Sequence, residues 1–506
     1  MVKSLSNLTI KHEPPFGLLG GSENTTFSKK WELYEKVFSI DQLRFTLEDL
    51  FRGFQIYGKI GSGKTSGSGY FLATNFLRAG FGGLVLCGKK EEAEYWRNLS
   101  KENKREKSFI FITPDSENSF NFVDYYKYIV SSYPLEFQDS LLSEVFFELI
   151  TSISGESRSS DSFWDNSLKQ LLLNLVTLTN ANNLSIDPST LLKLLSSLPM
   201  DEKQVDEIKQ VLNKTPGFDD RQMDENYFLK LIMSIDKPHD GVKRAISYFL
   251  DEFSSLNEKT RSIITTSFSS LLEYLNREPL KHLFSGVSKI TPMHIFCGAV
   301  IVVDLSVHEW RQVGRIANQI WKLSFQAACQ NRTPNGRPVF LWADEAHLFI
   351  SKSDTEFQST ARSLRCITVY LTQNISNNRI GLSDINSKDL QTSLSGNLCN
   401  IIIHQNSDNE TNKFAMQLAP KRKKKNLFTF FFPETNYNPS THLELKEERI
   451  MLLKSGGRRN RYIVEGYVFK PGTKFKFKPF KFHQKKPKKA GRMAKFNFPF
   501  LDGSQG

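Results

Sequence analysis

The chain has 506 residues, more than one hydrophobic core usually serves, so two or three domains are expected. Its 39% hydrophobic and 24% charged content excludes a disordered chain, and no run approaches the roughly 18 apolar residues that a membrane helix needs. The net charge of +13 suits a polyanionic partner, either nucleic acid or an anionic membrane surface.

Five cysteines (Cys87, Cys297, Cys329, Cys366, Cys399) form no C-x-x-C pair, which argues against zinc at the usual spacing and for reduced thiols. The first thirty residues hold no signal-peptide core. The expected location is cytoplasmic, or peripheral at the inner membrane through a partner.

In chain order, residues 1–45 read as an irregular lead-in and 40–51 as an amphipathic stretch. Residues 54–57 are apolar enough for a buried strand. Gly58, Lys59, Ile60, Gly61, Ser62, Gly63, Lys64 and Thr65 follow, fitting G-x-x-x-x-G-K-[ST] at every fixed position, and Ser66 continues the run. Glycines let such a loop wrap tightly, so that successive N–H groups meet phosphate oxygens at a helix N-terminus. Lys64 is expected on the β- and γ-phosphates of ATP, and the Thr65 hydroxyl on Mg²⁺.

Runs at 84–87 and 109–112, with helical pattern at 91–100 between them, read as the next two strands of a parallel sheet. From 134 to 278 helical periodicity dominates, and about 180–290 reads as an all-helical insertion. Strand signals return at 299–304, 339–344, 367–372 and 401–403, with a long helix at 313–331. The expected fold is α/β: a P-loop motor domain over 46–180 and 290–470, an inserted all-α domain at 181–289, and a basic Lys/Phe-rich tail at 471–506. That tail has too few aliphatic residues for its own core and is expected to be mobile. Its alternating lysines and phenylalanines suit nucleic acid first, partner docking second and a membrane third, and strict alternation also permits an edge strand with one basic and one apolar face. A second basic run, 421–425, lies beside the phenylalanines at 428–432.

Asp344 and Glu345 end an apolar strand. A P-loop ATPase needs an acid at a strand end for Mg²⁺ and a second group to position or deprotonate water. Asp344 suits the metal and Glu345 the water. Asp344 to His347 also spell a helicase box, but no later arginine motif of that superfamily follows, and His347 reads as structural or solvated. Gln373 ends the next strand, where an amide can sense the γ-phosphate. Arg362, with Arg365 beside it, is the candidate for an arginine finger completing a neighbour's site; the alternative is a solvated surface arginine.

Together, GKIGSGKT, FLWADEAHLFI, Arg362, VYLTQN and SGNLCNIIIHQ resemble the type IV secretion coupling ATPases, the TraG/TraD-type conjugative DNA transfer proteins, within the FtsK/HerA-like P-loop ATPases. Asn121 to Asp124 is similar to that family's N-x-x-D segment, and Phe163-Trp164 to the opening of its all-α domain. The resemblance spans about 45–470 and implies a homo-oligomeric ring, a hexamer, threading single- or double-stranded DNA. It implies Lys64 and Thr65 on phosphate and Mg²⁺, Asp344 and Glu345 as the acid pair, Gln373 as sensor and Arg362 as finger in trans. A relaxase, or a secretion-channel or membrane-anchor chain, is the implied partner. Two departures stand out: the family's N-terminal anchor has no counterpart here, and its Asp-x-Lys-Gly-Glu-like segment reads Cys87-Gly88-Lys89-Lys90-Glu91. The alternatives are an FtsK/HerA-like pump in plasmid maintenance or phage defence, and a non-motor ATP switch that recruits a relaxase or effector.

Overall fold

The short apolar runs fold as strands because helices cover both of their faces, which removes the polar alternation of a half-exposed sheet. A computed structural model describes residues 31–154, 162–182, 186–212, 226–332, 336–382, 387–420, 422–423 and 442–485. Thirteen strands are present among the described residues: β1 Lys36–Ile40, β2 Leu43–Thr46, β3 Phe54–Tyr57, β4 Gly82–Leu86, β5 Phe109–Ile112, β6 Val300–Val303, β7 Val339–Ala343, β8 Cys366–Thr372, β9 Asn400–Ile403, β10 Arg422–Lys423, β11 His442–Leu443, β12 Ile463–Phe469 and β13 Phe480–His483. Nine of them form one sheet in the order β13-β12-β9-β3-β8-β7-β4-β6-β5. From β9 to β5 every pair is parallel, while β12 and β13 join antiparallel.

Residues in one strand serve two cores. Leu84 and Leu86 face the core shared with the helices between β5 and β6, while Val85 and Cys87 face the core under Tyr70–Ala79 and Lys90–Glu102. All described elements between β5 and β6 are helical. Leu135–Ser154 and Ser162–Ala181 pack on each other and on Glu258–Leu275, and Leu135–Ser154 also packs on the helix Val307–Gln330. The helical body therefore begins ahead of residue 181 and shares one continuous core with the sheet. Val307–Gln330 starts earlier than its periodicity indicates and bends at Arg311 (φ 50°, ψ −121°).

Two expectations need correction. Part of the lead-in is a β-hairpin: Phe38 stacks on Phe45 at 5.1 Å, and Asp41 turns the chain with φ 53°. Part of the basic tail is a sheet edge. In β13, Phe480 and Phe482 are buried while Lys481 and His483 are exposed, so the edge-strand pattern holds there. Phe475 stacks on Phe469 at 4.9 Å, and Lys470 pairs with Asp49 at 2.8 Å. These phenylalanines supply the apolar area that aliphatic residues would otherwise provide, and they are not free to stack on nucleic-acid bases. Residues 486–506 and the phenylalanines at 428–432 lie outside the described residues, as does most of the 421–425 run.

Candidate nucleotide-binding site

The sheet register levels four strand ends. Tyr57 of β3 lies opposite Thr372 of β8, Tyr370 opposite Ala343 of β7, and Ala343 opposite Leu86 of β4. The residues that follow these ends therefore converge at the carboxyl edge of the sheet, where open parallel sheets bind ligands.

After β3 the chain wraps into the glycine-rich loop. Gly61 (φ 75°) and Gly63 (φ 85°) take left-handed conformations. A Cβ on Gly63 would also lie 2.5 Å from Val464. Ile60 is exposed, whereas Ser62 and Lys64 are buried. Gly58 and Lys59 donate to the carbonyls of Thr372 and Gln405, which ties the loop to the neighbouring strand ends. A π-helical turn, Thr65–Gly69, opens the helix that continues as Tyr70–Ala79. The first N–H groups of a helix have no partner within it and carry its positive dipole end, which suits phosphate.

The acid pair meets this loop directly. The Thr65 hydroxyl donates to Asp344 Oδ2 at 2.5 Å. Asp344 is 5% exposed and its Oδ1 accepts from the Glu345 N–H. A hydroxyl and a carboxylate at one point of a phosphate loop are hard oxygen donors of the kind Mg²⁺ takes, so these residues fit that ion. Among the described residues, no group of three His, Cys, Asp or Glu side chains is arranged to hold a metal by itself.

Glu345 is the centre of the site. It is 1% exposed and sits in the left-handed region (φ 52°, ψ 48°), a strain that a non-glycine residue adopts only when its surroundings impose it. Its Oε1 lies 3.7 Å from Lys64 Nζ and accepts a hydrogen bond from Lys89, and its Oε2 accepts from Gln373 Nε2 at 3.3 Å. Burial pushes the Glu345 carboxyl up, but Lys64 and Lys89 outweigh it and hold the group below its ordinary range. His347 Nδ1 is 3.6 Å from Glu345 Oε2, so this imidazole touches the site instead of being purely structural. Burial lowers its affinity for a proton.

A neutral histidine supports the loop from beneath. His404, fully buried after β9, accepts from the Ser68 hydroxyl at Nε2 (2.7 Å) and donates from Nδ1 to the Glu465 carbonyl (2.8 Å). Burial and the nearby Lys64 charge push its pKa down to about 4, against the pull of the Glu465 carbonyl.

The structure thus brings Lys64, Thr65, Asp344, Glu345 and Gln373 together, as the sequence motifs predict. It does not bring Arg362 to them. Arg362 follows the helix Lys352–Thr360, lies at the amino edge of the sheet, and pairs with Glu48 at 2.5 Å. Arg365 is at the same edge and donates to the Trp31 carbonyl. Sequence reasoning missed Lys89. The signal available was its place three residues past β4, in a sheet where every strand end contributes to the site.

No protein-family model matches the chain, and no curated protein matches it by sequence. Solved structures match by shape. The conjugative coupling protein TrwB, in its unbound ΔN70 form, is 13% identical with a TM-score of 0.51, covering 90% of each chain. TrwB in complex with the ATP analogue ADPNP is 12% identical with a TM-score of 0.52 and 92% coverage of each chain. TrwB in complex with ADP and Mg²⁺ is 13% identical with a TM-score of 0.50, covering 91% of this chain and 92% of that one. In its parallel sheet, phosphate loop and helical body, the chain has the fold of the conjugative coupling protein TrwB.

Proposed function

We propose that the chain is a Mg²⁺-dependent ATPase motor of the conjugative coupling kind, which hydrolyses ATP to move DNA. The observation that carries this reading is the joint contact of Lys64, Gln373 and Glu345, beside the Thr65–Asp344 hydrogen bond. TrwB, which shares the fold, has been solved with an ATP analogue and with ADP and Mg²⁺.

Lys64 exchanges its contact with Glu345 for the β- and γ-phosphates, while the N–H groups of the loop hold the phosphate oxygens. Thr65 and Asp344 hold Mg²⁺, which when bound neutralises phosphate charge. Lys89 stays on Glu345 and keeps it ionised, so the carboxylate orients a water and takes its proton as the water attacks. Gln373 fixes the direction of that carboxylate through Oε2 and reports the γ-phosphate to β8.

A homo-hexameric ring around single- or double-stranded DNA extends this reading, with a relaxase or secretion-channel partner. Arg362 enters only in trans, since in its own subunit it is at the far edge of the sheet. ATP hydrolysis measured with and without single- and double-stranded DNA tests the proposal. The expected result is strong DNA stimulation, abolished in Lys64→Ala. In Arg362→Ala turnover falls while nucleotide affinity is kept. Turnover that ignores DNA refutes the motor and favours the ATP switch.

A further inference from the structure

The antiparallel edge strands carry residues back to the nucleotide edge. Because β12 runs against the parallel strands, the loop ahead of it (455–462) lies beside the phosphate loop, as does the end of β13. Val464 and the Ser455 carbonyl pack where a Gly63 Cβ would be, and Gln484 donates to the Ser66 hydroxyl at 2.6 Å. Gln484 also accepts from the Gly457 N–H at 2.8 Å, so one amide clamps this loop to the residue after the phosphate-loop threonine. The loop is strained: Arg461 (φ 54°) and Tyr462 (φ 60°) are consecutive non-glycine residues in the left-handed region. Strain of this kind persists where the surroundings enforce a particular presentation.

What the loop presents is Tyr462, on the wall of a cleft of about 340 Å³ between the helices Thr65–Ala79 and Lys90–Glu102. Tyr70 and Tyr95 face it from the helices, with Ser66 at its mouth. The polar groups are already engaged. The Tyr70 hydroxyl donates to Glu102 at 2.9 Å, the Tyr95 hydroxyl to the Thr65 carbonyl at 3.4 Å, Lys485 pairs with Glu102, and Gln484 uses both amide ends. The cleft therefore offers aromatic faces and edges, without a free donor–acceptor pattern to read a base edge.

We infer that this cleft is the nucleoside subsite of the phosphate loop: it takes the purine of a nucleoside triphosphate by stacking against tyrosine and does not discriminate adenine from guanine. The inference rests on the phosphate-loop reading above. A triphosphate held by Lys64 and Thr65 leaves its α-phosphate at Ser66, and the base then extends into the cleft that Ser66 opens. An apolar, aromatic-lined cleft with few polar groups is the usual setting for a stacked ring.

The test compares ATP, GTP and inorganic tripolyphosphate by calorimetry on the full chain, with Tyr462→Ala, Tyr462→Phe, Gln484→Ala and Lys64→Ala. Wild type should bind ATP and GTP within about threefold of each other and tripolyphosphate on the order of tenfold more weakly, as loss of one stacking partner implies. Tyr462→Ala and Gln484→Ala should bring ATP down to the tripolyphosphate level and leave tripolyphosphate unchanged, while Tyr462→Phe keeps ATP affinity. Lys64→Ala should lose all three ligands. Equal wild-type affinity for ATP and tripolyphosphate, a strong preference between ATP and GTP, or ATP affinity unmoved by Tyr462→Ala overturns the subsite and leaves the phosphate loop standing. Failure of wild type to bind any of the three overturns both.

Discussion

Lys322 and Asp354 form an ion pair at 2.7 Å in which both side chains are 0% exposed. Lys322 also donates to the Phe349 carbonyl (2.6 Å) and to Ser351 Oγ (3.0 Å), and Asp354 accepts from Gln326 (2.7 Å) and the Tyr370 hydroxyl (2.9 Å). A buried pair adds little net stability over a well-packed apolar pair, because desolvation offsets the attraction, but removing one partner strands the other charge. Lys322→Met and Asp354→Leu should each therefore cost about 3–5 kcal/mol. The double variant removes both charges and leaves only neutral groups unpaired, so its cost should be about 1–3 kcal/mol. The two changes are then strongly non-additive. Trp321, adjacent in sequence, fully buried and stacked on Phe120 at 4.4 Å, reports the transition by fluorescence during urea unfolding. Single variants within about 1 kcal/mol of wild type, or a double variant as unstable as the sum of the singles, would refute the reasoning.

Glu345→Gln should bind ATP as wild type does while turnover falls on the order of a hundredfold or more, seen by comparing nucleotide titration with phosphate release. Lys89→Met removes one of the two cations that depress the Glu345 carboxyl, so that carboxyl rises. The base must be ionised, hence the acid limb of the pH–rate profile should move to higher pH, and an unmoved limb would count against Lys89. His404 has a folded pKa of about 4 against an ordinary 6.5, so its neutral form stabilises the fold fully above pH 6.5 and that stability is lost as pH falls toward 4. The loss is about 3 kcal/mol, and it should be absent from the pH dependence of unfolding in His404→Gln.

The nucleotide edge was readable because its residues stand directly after strands that are apolar throughout. Each of β3, β7 and β8 ends in a residue whose chemistry is unusual for a turn: a glycine run, Asp344-Glu345 and Gln373. Lys89 was hidden because a lysine after a strand is common at surfaces, and only the register of β4 against β7 reveals that it reaches Glu345. Arg362 misled for the converse reason. Its distance from β8 in sequence fits a finger, but it precedes the strand and so falls at the opposite edge. The edge strands at the carboxyl end were the least readable. Period-two alternation of lysine and phenylalanine fits an edge strand, a nucleic-acid contact and a membrane contact alike, and pairing with β12 distinguishes them only after folding.

The helical body is joined to the acid pair by polar contacts as well as by apolar packing. Glu148, on Leu135–Ser154, is pushed toward protonation by burial and accepts from Ser353 Oγ at 3.3 Å. The next residue, Asp354, holds Lys322, and Lys322 holds the Phe349 carbonyl at the end of the turn Ala346–Leu348 that follows Glu345. Gln319 donates to the same carbonyl at 2.9 Å. Glu345 itself is in a strained conformation, so what fixes the turn behind it also fixes the carboxylate. Asp354→Leu, assayed well below its unfolding transition, should therefore lower turnover more than it changes nucleotide affinity, because the phosphate loop is held separately through Thr372, Gln405 and His404. Affinity and turnover falling together would instead mean that the buried pair supports the whole nucleotide edge, and the polar path from Glu148 would then have no special bearing on Glu345.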